Sequence, residues 1–210
     1  MDSKFSQKLH PLNLNVSDKK APENLEKNKE SIRIATEKDW QAYRDLTIEA
    51  IDSPDSEMLG FIPGDKKSES EKQREKAKTE RQWKKILEKR DDMFVLLSWS
   101  GSKIAGFNAA IRKRNNNWYI HSGYVSPEFR GGLGKRMFAA RLNEIRNRGG
   151  IKVWFDVKSN NGKTVTIAET FGFEEVFDEG SFFPKEFRME LKNVNALEVI
   201  KKINEVLNAG

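Results

Sequence analysis

Three strand-like stretches follow one another between residues 93 and 125, with only short polar turns between them. They cover residues 93–99, 103–114 and 118–125, and each is rich in apolar, aromatic or β-branched side chains. The turns are built from Ser, Gly and Asn, and turns this short join antiparallel neighbours. The pattern therefore predicts an antiparallel meander in the middle of the chain.

A helix and a fourth strand follow the meander. Residues 134–148 carry Phe138, Leu142 and Ile145 at helical spacing before a pair of glycines, and residues 151–157 are strand-like. A short helix between two strands of one sheet makes a right-handed crossover, which leaves those strands parallel. The sequence thus predicts an α/β fold with a mixed, mostly antiparallel sheet, one parallel pair and flanking helices. The remaining predicted elements are a helix at 164–171 and strands at 173–178 and 186–191.

The folded part is predicted to begin with a short strand at 32–36 and a helix capped by Thr36. Glu37 and Asp39 suit the first turn of that helix, because acids favour the positive end of the helix dipole. Its apolar side is predicted to consist of Trp40, Tyr43, Leu46 and Ala50.

Both ends of the chain are predicted to be appendages of one domain at 31–192. Residues 1–30 are polar and of mixed charge, so we expect a mobile tail. Residues 193–210 are expected to form a C-terminal helix that packs on the chain's own core. The alternative is that the apolar stripe of this helix forms a homodimer interface. The apolar stripe of that helix consists of Leu197, Ile200, Ile203 and Leu207.

The composition excludes several kinds of chemistry. The chain has no Cys and only two His, so disulfides, thiolate catalysis and Cys-based metal centres are excluded, and we expect no metal. Lys and Arg number 38 against 32 Asp and Glu, and the net charge of +6 would suit a phosphorylated cofactor. Neither an apolar run of roughly 20 residues nor a signal-peptide core is present, so we expect a cytoplasmic protein with no membrane partner.

A charged stretch at 65–92 holds 11 Lys and Arg and 8 Asp and Glu. Trp83, Ile86 and Leu87 lie within it at helical spacing. The near balance of charges predicts a solvated helix with one apolar edge rather than an arm that binds nucleic acid. Since the chain has no block of like charge, nucleic acid is not an expected partner.

A glycine-rich turn at 125–136 is the most informative segment, reading Val-Ser-Pro-Glu-Phe-Arg-Gly-Gly-Leu-Gly-Lys-Arg. Glycines let backbone N–H groups approach an anion, and the following helix adds unpaired donors at its N-terminus. The turn therefore predicts a phosphate or pyrophosphate site. It is not a P-loop, because Arg136 replaces the Ser or Thr, and it is not a dinucleotide fingerprint, because Met137 replaces the third glycine.

The turn resembles motif A of the GNAT family of N-acetyltransferases, [RQ]-x-x-G-x-[GA]. Arg130 begins the motif and Gly132-Leu133-Gly134 supplies its G-x-G, with one residue fewer between them. The segment from Asn161 to Gly172-Phe173 has the spacing of the family's N-x-x-A-x-x-L-Y-x-x-x-G-F pattern. The element order agrees over residues 31–192. The resemblance implies a GNAT-type sheet in which the strands at 118–125 and 151–157 splay apart.

The resemblance also implies acetyl-CoA as cosubstrate, with its pantetheine arm in that opening. The arm would pair with backbone near Tyr124 and Val125, the N–H of Val125 would polarise the thioester carbonyl, and Asn161 would bind the arm or simply cap a helix. The reaction implied is direct attack on the thioester by a primary amine of a small molecule or peptide. The pyrophosphate would lie on Arg130, Gly131, Gly132, Leu133, Gly134 and Lys135.

The proton carriers match the family less well. Strict alternation places Tyr119, His121, Gly123 and Val125 on one face of their strand and Trp118, Ile120, Ser122 and Tyr124 on the other. His121 titrates near neutral pH and is the candidate general base, with a structural role or a water relay as alternatives. Ala168 stands where the family commonly has the tyrosine that protonates the thiolate. Either another hydroxyl serves, with Tyr124 and Thr164 as candidates, or the thiolate leaves unassisted, or the protein is a weak catalyst. A degenerate acyl-CoA-binding module, sensing or regulatory, is the alternative function.

Two loops are candidates for the acceptor site, at 53–64 and 178–184. Acids beside aromatic rings would suit a cationic amine. The alternative is that the acids face water and the aromatic rings close the core. The side chains concerned are Asp52, Asp55, Glu57 and Phe61 near the first loop, and Glu179, Phe182 and Phe183 in the second.

Overall fold

The computed structural model describes residues 30–53, 91–176 and 186–209, together with residues 68–71, 73, 74, 77, 78, 81 and 85. Its strands form one sheet in the order β1-β2-β3-β4-β5-β7-β6. The strands are β1 (Glu30–Ile34), β2 (Met93–Ser100), β3 (Lys103–Arg112), β4 (Trp118–Val125), β5 (Val153–Lys158), β6 (Glu174–Val176) and β7 (Glu186–Leu191). The helices are α1 (Trp40–Asp52), α2 (Leu133–Asn147), α3 (Gly162–Thr170) and α4 (Leu197–Asn208).

Several predictions fall outside these ranges. Residues 1–29 of the tail predicted at 1–30 lie outside the described residues, whereas Glu30 is the first residue of β1. Nearly all of the two proposed acceptor loops also lie outside, as do Trp83, Ile86 and Leu87 of the charged stretch. The described residues from 69 to 85 are helical. Within the described part of the chain, no helix is both long and apolar enough to cross a bilayer.

The sheet is antiparallel except where β4 meets β5. That parallel pair consists of two register pairs only, Trp118 with Val153 and Tyr119 with Trp154. From Ile120 to Val125, β4 continues without a β5 partner. The predicted meander, the mixed sheet and the splayed parallel pair are therefore confirmed.

Two apolar cores lie on opposite faces of the sheet. On one face, α2, α3 and α4 bury a cluster around Phe138, whose ring centroid lies 5.5 Å from that of Phe171 and 5.6 Å from that of Phe173. On the other face, α1 packs Tyr43 against Phe107 with ring centroids 5.3 Å apart. Tyr43, Leu46 and Ala50 are buried, as the periodicity of α1 predicted.

The entry into α1 is tighter than the sequence predicted. A single 3₁₀ turn, Glu37–Asp39, precedes the helix, and Asp39 is buried rather than exposed at its start. Its Oδ2 accepts hydrogen bonds from the backbone N and the hydroxyl of Thr36, at 2.7 and 2.8 Å. Both carboxylate oxygens also accept from the guanidinium of Arg33, each at 2.7 Å. This network fixes where β1 turns into α1.

A β-bulge in β4 overturns the alternation expected from the sequence. Ala110 pairs with Ile120 and Ala109 with Ser122, so the register between β3 and β4 passes over His121, which is one extra residue in β4. One extra residue shifts the pleat, so every later side chain changes face. Ile120 lies in the core on the α2 side, whereas Tyr124 lies in the core on the α1 side. The expectation that Tyr124 shares a face with Ile120 was wrong.

The C-terminal helix α4 packs on the chain's own core. Val199 and Ile203 are buried there, which confirms the predicted packing for Ile203. Leu197 is 83% exposed, so its inclusion in the buried stripe was wrong. Leu197 is the first residue of α4 and points away from the core, and Val199 takes the buried position instead. The division into 31–192 and 193–210 stays a prediction.

Candidate functional site

The glycine-rich turn leads directly from β4 into α2. Gly131 and Gly132 have φ values of 128° and 108°, a left-handed region that other residues rarely adopt, so the turn requires glycine at both positions. In α2 the N–H of Arg136 donates to the carbonyl of Gly132, at 3.1 Å. The N–H groups of Leu133 and Gly134 precede this bond, as does that of Lys135, and the geometry of a helix start leaves them without intrahelical acceptors.

Gly134 has no internal reason to be glycine. A Cβ added there would come no closer than 3.9 Å to its nearest neighbour, Cδ1 of Ile167, which is an ordinary contact. The position is therefore compatible with a side chain as far as packing in α2 and α3 is concerned. A glycine in the first turn of a helix also costs stability relative to alanine. These facts point to close approach from outside the chain.

The charges around the turn differ in how far they are already neutralised. Arg136 donates to both carboxylate oxygens of Glu30, at 3.0 and 2.6 Å. Arg130 is exposed, and its Nε makes a long hydrogen bond of 3.4 Å to the carbonyl oxygen of Val125. Glu128, an acid within the turn, is paired with Lys103. The turn therefore presents a net positive charge at the start of α2.

Asn161 caps α3. Its Oδ1 accepts a hydrogen bond from the backbone N of Thr164, at 3.3 Å. This favours the capping role that the sequence left open, and it does not occupy the Nδ2 donor. Ile167 of α3 lies beside Gly134, so α3 runs close to the start of α2.

His121, the extra residue of the bulge, is exposed. Neighbouring groups remove part of the hydration of its ring, and the positive charges of Lys78 and Lys113 add to this, so the pKa of His121 is lowered from its ordinary value of 6.5. Its Nδ1 lies 3.3 Å from the hydroxyl of Ser122. The imidazole is thus neutral at neutral pH and can accept a proton.

Tyr124 lies on the α1 face and donates its hydroxyl proton to Oε1 of Glu49, at 3.2 Å. Burial, together with the negative charge of Glu49, raises the pKa of Tyr124 to about 12. The hydroxyl therefore stays protonated, but it gives up its proton reluctantly. Sequence reasoning missed Glu49, which is exposed but stands three residues after the buried Leu46 and so lies at the border of the buried side of α1.

A second residue that the sequence reasoning missed is Arg141 of α2. Its side chain is buried, with the residue only 3% exposed, and Nη1 donates to the carbonyl oxygen of Ser122 at 3.1 Å. Its guanidinium lies 4.8 Å from the centre of the Phe138 ring. The signal was present, because Arg141 completes the i, i+3, i+4, i+7 series of Phe138, Leu142 and Ile145.

Ala168 is fully buried against the core that contains Phe138 and Phe171. It offers no proton donor. Among the described residues of α3, Ala168 alone is buried, so α3 supplies no buried hydroxyl or amine in its place.

Comparisons with known proteins agree with this geometry. A [ribosomal protein bS18]-alanine N-acetyltransferase of Salmonella typhimurium is 30% identical over 61 residues, which are 29% of this chain and 41% of that relative. The matched segment thus spans about two fifths of the relative's length. Four further bacterial proteins with the same description match over 61 residues at 28% identity.

Solved structures share the fold. An N-acetyltransferase of Thermoplasma acidophilum in complex with coenzyme A has a TM-score of 0.61 at 20% identity, over 78% of this chain and 99% of the other. A ribosomal-protein-alanine N-acetyltransferase of Brucella melitensis has a TM-score of 0.58 at 19% identity, over 77% and 99%. The model of the acetyltransferase (GNAT) family matches residues 52–173, more than half of the chain. The chain therefore belongs to the acetyltransferase (GNAT) family.

Proposed function

We propose that this protein transfers an acetyl group from acetyl-CoA to a primary amine, by direct attack of the amine in a ternary complex. The observation that carries the proposal is the glycine-rich turn at the open end of β4. There, unpaired helix donors and the positive charge of the exposed Arg130 follow the part of β4 that lies beyond its pairing with β5. Membership of an acetyltransferase family supports the same conclusion.

The turn has the chemistry that a pyrophosphate needs. Backbone N–H groups from Gly132 to Lys135 would bind the phosphate oxygens, with Gly131 allowing the turn and Arg130 adding charge. The motif is one residue shorter than the family pattern, and the two successive left-handed glycines, Gly131 and Gly132, allow a tighter turn at this point.

The arm of the cosubstrate would lie along β4 beyond Ile120. Since β5 does not pair there, backbone groups near Tyr124 and Val125 that face that edge, Val125 first, can pair with pantetheine amides instead. Asn161 would contribute its Nδ2. Binding would hold the amine and the thioester next to each other, and this positioning would supply most of the rate acceleration.

His121 is the proposed general base, because its lowered pKa keeps it neutral. His121 and Val125 are four residues apart on β4, roughly 13 Å in an extended strand. If the N–H of Val125 polarises the thioester, the proton must therefore reach His121 through water. Thr164 and Tyr124 remain the proposed hydroxyl acids. Both are weak proton donors, because the pKa of Tyr124 is raised to about 12 and the hydroxyl of Thr164 is an aliphatic alcohol, a weaker acid than a phenol.

For the acceptor, we propose a peptide amine as the first class to test, ahead of small-molecule amines. The relatives whose names describe acetylation of an alanine in ribosomal protein bS18 support this choice. Asp52, at the exposed end of α1, is the described member of the acidic groups proposed for the acceptor site.

A second candidate is an acyl-CoA-binding module without turnover. The buried Ala168 favours it, because the usual proton donor is absent. The two candidates predict the same binding and differ only in catalysis.

Calorimetric titration with acetyl-CoA, using ATP as the control, tests the binding step. Micromolar affinity for acetyl-CoA but not ATP would support both candidates, and no binding would contradict both. Thiol release in the presence of an alanine-first peptide or a polyamine then separates them. Release with either acceptor supports the transferase, and binding without release supports the binding module.

A further inference from the structure

A buried guanidinium lies where β4 has left its neighbour β5. Arg141 donates through Nη1 to the carbonyl of Ser122, and Ser122 stands three residues beyond Tyr119, the last residue of β4 that pairs with β5. Arg141 therefore contacts, from the α2 face, the part of β4 that lies beyond its pairing with β5.

The charge of Arg141 is poorly compensated. Nε is buried without a hydrogen-bond partner, and no carboxylate among the described residues pairs with the guanidinium. Burial lowers the pKa of Arg141 to about 9. An apolar side chain of similar size would be the cheaper way to fill such a place, because a buried unpaired charge is costly. A ligand that brings negative charge to this point would explain why an arginine is there.

The pyrophosphate is too far away to be that charge. It is proposed to bind at the start of α2, and Arg141 follows Leu133 by eight residues, roughly 12 Å along a helix. The reaction creates negative charge at two other places, on the carbonyl oxygen and on the sulfur that leaves the acyl carbon. The N–H of Val125 is already proposed to bind the carbonyl oxygen, which leaves the sulfur for Arg141. Arginine suits a large, polarizable anion in a site from which water is excluded, because guanidinium is weakly hydrated.

We propose that Arg141 binds the thiolate of coenzyme A as it leaves, which makes it a further catalytic residue. This inference rests on the proposed function. The amine nitrogen forms a bond to the acyl carbon, the carbon–sulfur bond breaks, and its electron pair stays on sulfur. The amine proton passes to His121 or water. The guanidinium keeps its own protons and pairs with the thiolate, which takes a proton from water after release, so no acid is needed at Ala168.

Few other groups could titrate beside that sulfur. Among the described residues of β4, β5, α3 and α4, no titratable side chain is buried in the core against α2. On α2 itself, Glu144 pairs with Arg148 at 2.6 Å. His121, on the bulge of β4, has a pKa lowered from 6.5, so its imidazole is already mainly uncharged at neutral pH. A change in coenzyme A affinity as the pH rises above neutrality would therefore report on the thiol and on Arg141.

The test compares the binding of coenzyme A and desulfo-coenzyme A by calorimetry between about pH 7 and 8.5, around the ordinary pKa of a thiol. If the guanidinium stabilises the thiolate, the affinity ratio of the two ligands rises with pH in the wild type, by up to about tenfold per unit. Arg141→Gln keeps a donor for Ser122 but removes the charge, and should abolish the rise while leaving desulfo-coenzyme A affinity within about threefold. Arg141→Lys keeps a positive charge and should retain part of the rise in the affinity ratio.

A ratio that does not change with pH in the wild type would overturn the assignment, as would an unchanged rise in Arg141→Gln. If the Gln variant does not fold, the test compares the Lys variant with the wild type only. Loss of the pH-dependent rise in Arg141→Lys would then contradict a role for the positive charge. Failure of the wild type to bind desulfo-coenzyme A would instead contradict the proposed cofactor site, and this inference with it.

Discussion

Tyr124 donates its hydroxyl proton to Oε1 of Glu49 at 3.2 Å, and this bond joins β4 to α1 on the face of the sheet opposite α2. On the α2 face, Arg141 donates to the carbonyl of Ser122 in the same strand. The part of β4 that does not pair with β5 is thus tied to α1 on one face of the sheet and to α2 on the other. These contacts keep the strand in place while its edge stays open.

Tyr124→Phe should lower the free energy of unfolding by about 1 kcal/mol, because it removes one partly buried hydrogen bond. Turnover should fall by less than tenfold, since a tyrosine with a pKa of about 12 is a poor proton donor. Tyr119→Phe, on the same strand, is the matched control. Urea unfolding and initial rates measure the two effects. A hundredfold fall in turnover with unchanged acetyl-CoA affinity would instead identify Tyr124 as the acid.

Arg130→Glu should weaken acetyl-CoA binding at least tenfold without unfolding the protein, because it places a repelling charge at an exposed turn. Arg114→Glu makes the same charge change at the turn before β4, at the opposite end of that strand, and should bind acetyl-CoA normally. Calorimetry gives both affinities. Equal affinities for the two variants would remove Arg130 from the pyrophosphate site.

His121→Ala should lower turnover by about a hundredfold and flatten the acid limb of the rate–pH profile. The pKa of His121 is lowered, so in the wild type the active neutral form persists from neutral pH down to a pKa below 6.5. Activity is then lost as the pH falls through that lowered value. An acid limb that survives in His121→Ala would return the role of base to water.

Gly132→Ala and Gly134→Ala should separate folding from binding. At Gly132 the φ of 108° makes any side chain strained, so alanine should cost about 1 kcal/mol or more of stability. At Gly134 the new Cβ meets no clash, so stability should hold or rise, while acetyl-CoA affinity falls because the Cβ stands where the phosphates approach. Thermal unfolding and calorimetry report each quantity. Normal affinity in Gly134→Ala would mean that no ligand approaches this residue.

Asp39→Asn should destabilise the protein by about 1–3 kcal/mol at pH 7, because Asp39 accepts charge-assisted hydrogen bonds from Arg33. The hydrogen bonds from Arg33 hold the pKa of Asp39 well below its ordinary 3.8. Its contribution is complete above pH 3.8 and is lost as the pH falls through the lowered value. Urea unfolding between pH 2 and 7 should therefore show a weaker acid dependence in the variant. Asp45→Asn, on the exposed side of α1, should behave as the wild type.

The sequence by itself determined the elements and the strand directions. The short turns before Lys103 and Trp118 require antiparallel neighbours, the crossover through α2 requires a parallel one, and the glycines at 131 and 132 mark the turn. These features depend on residues close together in the chain, so local patterns were enough to predict them.

Only the tertiary structure decided which way the functional side chains face. The extra residue at His121 exists because β3 and β4 pair out of step, and it moves Tyr124 to the α1 face. Likewise, the partners Glu49 and Arg141 come from helices on opposite sides of the sheet. Strand alternation assumes an unbroken ladder, and whether a ladder is broken depends on the register of two strands, which no single strand's sequence contains.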